Sequence, residues 1–220
     1  MTIAVKRRHL AIRRWLPGQR GRILNVGCGA IPLPGRRQLG PMVNLEIERK
    51  PFPNLVLYDG STFPFQDCSF DAVLCLDVLE HVEDDLGLLR QIAGVLRPEG
   101  VLLLTTPAIE HDFKEASLPL GKASKKWSQA EAQWGHVRPG YELGELVCKC
   151  HEAGLEVVGA EKYGATIAQA LYQLWYLRDL SWLFSRKLVL PRLLMELALR
   201  LDHVLFRNRG CAIAIKAVRR

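Results

Sequence analysis

Between Arg22 and Thr105 the chain carries five short apolar runs, each nearly uninterrupted and each closed by a glycine, a proline or an acid. They are Arg22–Val26 before Gly27-Cys28-Gly29, Met42–Ile47 with Glu46 near its end, Asn54–Tyr58 before Asp59-Gly60, Phe70–Leu76 before Asp77, and Val101–Thr105 before Pro107. Runs without apolar/polar alternation belong to strands buried on both faces, which implies a mainly parallel sheet covered by helices on two sides. The connections agree. Leu86–Leu96 has helical spacing and stops at Arg97-Pro98-Glu99-Gly100, whereas Ala30–Met42 holds Pro32, Pro34, Gly35, Gly40 and Pro41 and reads as a loop. Farther on, Tyr141–Ala153 reads as a helix, Leu155–Glu161 as a strand, 166–206 as a long helical region and Cys211–Val218 as a last strand. A short helix over Ala4–Leu16, stopped at Pro17-Gly18, precedes them all.

With 220 residues, 49% of them apolar, the chain is sized for one domain with a two-sided core. The expectation is a single domain over 1–220, with a basic helix over 1–20 and an apolar helical insertion over 163–208. Collagen-like, disulfide-framework and disordered classes are excluded by composition. The longest charge-free apolar stretch, Tyr163–Leu177, falls short of the roughly 20 residues of a spanning helix, and the N-terminus has no apolar core followed by a small-residue cleavage site. A cytoplasmic protein is expected. The six cysteines, at 28, 68, 75, 148, 150 and 211, lack paired CxxC spacing and read as reduced thiols. Cys148, Cys150 and His151 point to different faces of one helix, so no metal site is expected.

Charge is placed unevenly. Residues 1–22 hold seven bases and no acid, 23–162 hold 13 bases against 20 acids, and 163–220 hold 10 against 3, for a net +7 overall. Basic ends around an acidic middle suit an anionic substrate, nucleic acid or an anionic membrane surface; a solvated basic helix is the simpler account of Lys6–Trp15.

In open parallel sheets ligands bind beyond the C-terminal strand ends. There the first run presents Gly27-Cys28-Gly29, a turn that brings backbone close to a ligand. A dinucleotide fingerprint is incomplete, because Pro32 stands where its third glycine belongs, and no P-loop exists. Glu46 has two acceptor oxygens suited to a vicinal diol, as in ribose. Asp59 is placed to accept from an adenine amino group, with Gly60 admitting the base. Gly27, Cys28, Gly29, Glu46, Asp59 and Gly60 together outline a nucleoside-sized crevice.

The text that follows the third run is more specific. Phe63-Pro64-Phe65-Gln66-Asp67-Cys68-Ser69-Phe70-Asp71-Ala72-Val73, then Val78-Leu79-Glu80-His81-Val82, then Val95-Leu96-Arg97-Pro98-Glu99-Gly100, resembles the class I S-adenosylmethionine-dependent methyltransferases of the small-molecule type, over about residues 21–162. The resemblance implies a doubly wound, Rossmann-like α/β fold with a mostly parallel seven-stranded sheet and an antiparallel last strand, a helical insertion between strands six and seven, and S-adenosyl-L-methionine as cofactor. Two positions depart from the family. Asn25 stands where it usually has Asp, and Ile31 where it usually has glycine; the helix after the glycine turn is also replaced by a Pro-rich loop. These departures motivate the alternative of a catalytically silent nucleoside-binding or interaction module on the same fold.

Methyl transfer from a sulfonium needs the acceptor held in line, and a base only where the acceptor loses a proton. Asp77, directly after the fourth run, faces the crevice, with a helix N-cap as its structural alternative. Glu80-His81 reads as structural. His136, in His136-Val137-Arg138, is the candidate base, with Asp77 the second candidate catalytic residue. Leu76-Asp77-Val78-Leu79 differs from the Asn/Asp-Pro-Pro-aromatic motif of base-flipping amino methyltransferases, so nucleic acid is disfavoured and the expected acceptor is a small or lipid-linked molecule. The segment 166–206 is too apolar to stand free in water and is expected to serve as a lid, a homodimer contact or a peripheral membrane contact.

Overall fold

The computed structural model describes residues 12, 15–16, 21–29, 39–109, 135–163, 193, 197, 201, 210 and 212–220. Seven strands form one sheet: β1 (Ile23–Val26), β2 (Met42–Glu46), β3 (Leu55–Leu57), β4 (Phe70–Leu76), β5 (Leu96–Pro107), β6 (Leu155–Tyr163) and β7 (Ala212–Arg219). Their spatial order is β3-β2-β1-β4-β5-β7-β6. Strands β1 to β5 pair in parallel, and β7 runs antiparallel between β5 and β6. The order reverses between β1 and β4, the switch point at which doubly wound sheets open a crevice.

The runs that became β1, β2, β4 and β5 are covered on both faces, whereas β3 at the sheet edge is half-buried, with Leu57 exposed. Leu24, Val26, Val73, Cys75, Leu102 and Leu104 point to one side, where they meet α1 (Asp85–Val95) through Leu88, Leu89 and Ile92 and α2 (Leu143–Glu152) through Leu146 and Cys150. Ile23, Met42, Ala72, Leu74, Leu76 and Leu103 point to the other, where Ile12 and Leu16 pack. Each large apolar side chain so enclosed contributes about 1.5–3 kcal/mol relative to exposure. On that second face Trp15 also donates its indole N–H to Glu161 at 3.2 Å. Gly159 makes this approach feasible, since a Cβ there would stand 1.9 Å from the Trp15 ring.

Helix α1 starts where Asp84 accepts the Gly87 N–H at 2.8 Å and ends where Leu96 turns extended. The Arg97-Pro98-Glu99-Gly100 stop is an irregularity within a longer β5, with Glu99 at φ 60°. Helix α2 is two residues shorter at its start than the spacing predicts, because Tyr141 is drawn into a bridge with Ala108. Within α2, Cys150 is buried while Cys148 and His151 are exposed, the divergence of faces expected of that trio. The helix expected to follow β4 directly is instead a single 3-10 turn over Leu79–His81. The Ala4–Leu16 helix apart from Ile12, Trp15 and Leu16, the Ala30–Met42 loop up to Gln38, and nearly all of 163–208 lie outside the described residues. No helix among those described is long and apolar enough to cross a membrane.

Candidate active site

Strand β1 delivers the chain into Gly27, Cys28 and Gly29, and both glycines adopt left-handed conformations, at φ 61° and 60°. The turn is fixed from β2. Glu46 accepts the Gly29 N–H on Oε2 and the Ile47 N–H on Oε1, each at 2.9 Å. Leu45 accepts the Gly27 N–H at 2.9 Å. A carboxylate with two backbone donors in place has lone pairs left for further donors, so Glu46 remains able to bind a diol. The same carboxylate faces the Cys28 thiol at 3.9 Å; burial first, and the Glu46 charge second, push that thiol up to about 11. Cys28 is therefore an uncharged wall of the turn and not a nucleophile. A side chain at Gly29 would meet no atom within 4 Å, so its backbone is exposed to an incoming ligand. At Gly27 the opposite holds: a Cβ would lie 2.5 Å from Cγ2 of Val78. The close packing of Gly27 on Val78 joins the glycine turn to the segment after β4.

At the end of β3, Tyr58 donates its N–H to the Glu46 carbonyl at 3.1 Å, which brings Asp59 and Gly60 beside the Glu46–Ile47 corner. Asp59 accepts from both the N–H and the hydroxyl of Ser61 on one oxygen, at 2.9 and 2.7 Å, and these bonds hold its carboxyl below the usual range. Gly60 adopts φ 87°, with Ile47 the nearest side chain to a Cβ built there. The six residues expected to hold the cofactor thus adjoin one another along the ends of β1, β2 and β3.

The Asn25 departure has a local explanation. Asn25 donates to Asn44 Oδ1 at 2.9 Å across the β1–β2 register, and Asn44 donates in turn to the Pro53 carbonyl at 3.0 Å. Both side chains are buried. A neutral amide pair satisfies this site without enclosing a charge.

Beyond β4 the chain builds a second cluster. Asp77 takes a left-handed conformation, φ 54°, donates its N–H to the Thr105 carbonyl at 2.8 Å and accepts the Thr105 hydroxyl at 2.9 Å. It is therefore not a helix N-cap, since Asp84 caps α1; Asp77 is a carboxylate oriented from β5 at the strand end. Glu80 is buried and accepts the Thr106 hydroxyl at 3.1 Å. Its backbone carbonyl accepts the Val137 N–H at 3.0 Å, which docks the His136 segment onto the 3-10 turn. His136 then lies edge-on to His81, with ring centroids 4.6 Å apart. The structure brings Glu80, His81 and His136 together.

Sequence reasoning missed what holds this second cluster in place. Arg138 donates to the Val82 and Glu83 carbonyls at 2.8 Å and pairs with Asp85. Asp85 also accepts from Tyr141 Oη at 2.8 Å and from Lys149 Nζ at 3.0 Å. Burial opposes ionisation of Asp85, yet these donors and the two cations hold its carboxyl below the usual range. Burial, then the Asp85 bond, raises the Tyr141 phenol well above its ordinary value. The available signal was the string His136-Val137-Arg138 followed by Tyr141, next to the buried position of Asp85 on the apolar side of α1.

Comparison with known proteins agrees with this geometry. Residues 38–104 match the family model described as "Methyltransferase domain". The chain is 35% identical over 115 residues to a ubiquinone biosynthesis O-methyltransferase of Xanthomonas campestris pv. campestris, covering 44% of this chain and 47% of that one. It is 24% identical over 222 residues to "Probable tRNA methyltransferase 9B" of Mus musculus, covering 80% of this chain and 49% of that one. The chain therefore spans about half the length of these relatives. Phosphoethanolamine N-methyltransferase 2 of Haemonchus contortus, solved in complex with S-adenosyl-L-methionine, superposes with a TM-score of 0.61 at 18% identity over 97% of this chain and 52% of that one, a likeness of fold. Motif, fold and relatives make the chain similar to class I S-adenosylmethionine-dependent methyltransferase domains, with the family model matching over residues 38–104. The described glycine turn and Glu46 fit S-adenosylmethionine, the molecule bound in that solved structure.

Proposed function

We propose that the chain, acting as one domain over 1–220, transfers the methyl group of S-adenosylmethionine to a small-molecule or lipid-linked acceptor. The observation that carries this reading is the Glu46 carboxylate, held at the end of β2 by two backbone N–H groups and directed at the Gly27-Cys28-Gly29 turn. In this reading Glu46 accepts the ribose hydroxyls, Asp59 with Gly60 selects adenine, and Gly27, Cys28 and Gly29 pass beneath the methionine end. The bound cofactor supplies an electrophilic methyl carbon on a sulfonium. The chain's part is then to hold the acceptor in line and, for an O–H or N–H acceptor, to remove its proton. Asp77, oriented by Thr105, and His136, set against His81, are the residues assigned to that side.

Supporting a small acceptor is the named relative of ubiquinone biosynthesis, together with the absence from this sequence of the motif used by base-flipping amino methyltransferases. The apolar segment 166–206 is assigned to the acceptor as a lid, a homodimer contact or a peripheral membrane contact. Its described residues Leu193, Leu197 and Leu201 are each helical and exposed.

The deciding experiment is incubation with methyl-labelled S-adenosylmethionine and separate pools of lysate metabolites, extracted lipids and tRNA. Label in a metabolite or lipid product is expected. Label confined to tRNA would overturn the acceptor class. Cofactor binding without label in any pool would favour the silent module. Flotation with anionic vesicles, lost with added salt, is the outcome expected of the membrane arm.

A further inference from the structure

Three side chains of the kind that bind divalent cations meet on the acceptor side of the molecule. Glu80 and His81 come from the 3-10 turn after β4, and His136 from the segment ahead of Tyr141; one carboxylate oxygen and two ring nitrogens lie within 4.8 Å of one another. Around a single ion, bonds of about 2.0–2.2 Å at tetrahedral or octahedral angles separate ligand atoms by about 3–3.5 Å. Closing from within 4.8 Å to that spacing asks for shifts of about 1–2 Å at the side-chain tips.

The surroundings resemble the outer shell of a metal centre. His81 Nδ1 lies 3.2 Å from the Gly135 carbonyl, which can only accept, so in the neutral ring this contact puts the proton on Nδ1 and leaves the lone pair on Nε2. An imidazole whose other nitrogen donates to a backbone carbonyl is the usual state of a metal-ligating histidine. Glu80, at 1% exposure, has its carboxylate oriented by the Thr106 hydroxyl and its carbonyl tied to Val137. Arg138 pins the His136 segment to Val82, Glu83 and Asp85. The turn that bears Glu80 and His81 begins at Val78, the residue packed on Gly27 of the cofactor turn. A cation here would stand next to the place where the methyl group is delivered.

We propose that Glu80, His81 and His136 form a divalent transition-metal site whose open coordination position takes an ionisable acceptor oxygen of the phenol or enol class. Two nitrogens and one carboxylate favour zinc, manganese, iron or cobalt over magnesium or calcium. Three protein ligands leave room for an exogenous one. The metal site stands on geometry alone; its use on an acceptor rests on the methyl-transfer function proposed above. Coordination polarises the acceptor O–H, whose proton leaves to water. The oxygen lone pair then forms the new bond to the methyl carbon, and the carbon–sulfur pair returns to sulfur, with no change of oxidation state. His136 thus assists deprotonation as a ligand and not as a free base.

The test is titration of the full chain, stripped by chelator, with cobalt(II) followed by its visible absorption and with zinc(II) by calorimetry. One saturable equivalent per chain is expected, weakened at least tenfold in His136→Ala and in His81→Ala, both of which change partly or fully exposed side chains. Glu80→Gln, judged by circular dichroism for folding, is expected to behave likewise. No saturable binding to the wild-type chain, or wild-type affinity in His136→Ala, would overturn the site. S-adenosylmethionine affinity is measured on the same samples. Its failure in the wild type would sink the methyl-transfer reading while the metal titration still decided the site. If the metal binds and chelation leaves methyl transfer unchanged, the acceptor half of the proposal is overturned.

Discussion

The side of the crevice proposed to hold the cofactor and the side proposed to hold the acceptor, called below the cofactor side and the acceptor side, are built in contrasting ways. On the cofactor side, short-range backbone geometry does most of the work: glycines in left-handed conformations, one carboxylate accepting two N–H groups, and strand ends adjacent in a parallel sheet. On the acceptor side, charged side chains from remote segments do it, with Asp85 on α1 gathering Arg138, Tyr141 and Lys149. A site made of backbone tolerates side-chain change except at the few positions that shape it. A site made of a buried ionic network fails as a unit when its central member is lost.

The largest effect should therefore come from the acceptor side. Asp85→Asn leaves Arg138 and Lys149 without their shared anion, and the expected loss is about 3–5 kcal/mol of unfolding free energy, measured by urea denaturation. The sign of its pH dependence follows from the lowered carboxyl. The stability Asp85 contributes is fully present above the unfolded carboxylate value of about 4, and is lost as pH falls through the lower folded value. Wild-type and variant stabilities should converge in acid; parallel curves down to low pH would remove Asp85 from the centre of the network.

Glu46→Ala should come next. Loss of charge-assisted bonds to the ribose is expected to cost about 1–3 kcal/mol in S-adenosylmethionine binding, read by calorimetry on folded protein. Unchanged affinity would erase the cofactor side of the contrast. Arg138→Ala sharpens it from the opposite direction. Freeing the segment that carries His136 should lower kcat on the order of tenfold through misplacement, while the cofactor dissociation constant stays put. A rise in that constant would show that the two sides are one. Asp59→Ala is the mildest, with an expected loss of about 0.5–1.5 kcal/mol. It should appear chiefly as weaker discrimination between adenosine and guanosine analogues in competition; retained discrimination would reassign Asp59 to shaping its own loop through Ser61.

The same contrast explains what could be read from the sequence. Gly27, Gly29, Glu46, Asp59 and Gly60 announce themselves because each closes an apolar run, and parallel topology brings such ends together without further information. The seven strands and both described helices followed from periodicity for the same reason. Asp77 is expected at the crevice, but its backbone was not foreseen: no local rule signals that Thr105, 28 residues later on β5, will hold it in a left-handed turn. Likewise Glu80 reads as structural and His136 as a candidate base, with nothing in the sequence to join the two. The docking of Val137 on the Glu80 carbonyl, with the Arg138 contacts beside it, brings them together, and hydrophobic periodicity has nothing to say about a loop packed on a turn.

The placement of β7 between β5 and β6 bears on the order in which the molecule assembles. Among the described residues β6 has no hydrogen-bonded neighbour other than β7, and β5 has one free edge until β7 arrives. A strand drawn from residues 212–219 must therefore enter the sheet after the segments on both sides of it have been synthesised. Loop closure over so long a separation is slow, and an apolar edge left open meanwhile is a template for intermolecular pairing. During synthesis the β5 edge is the point at which this chain most needs shielding, and the basic pair Arg219–Arg220, anchored to the Leu96 carbonyl and to Glu156, is the latch that closes it.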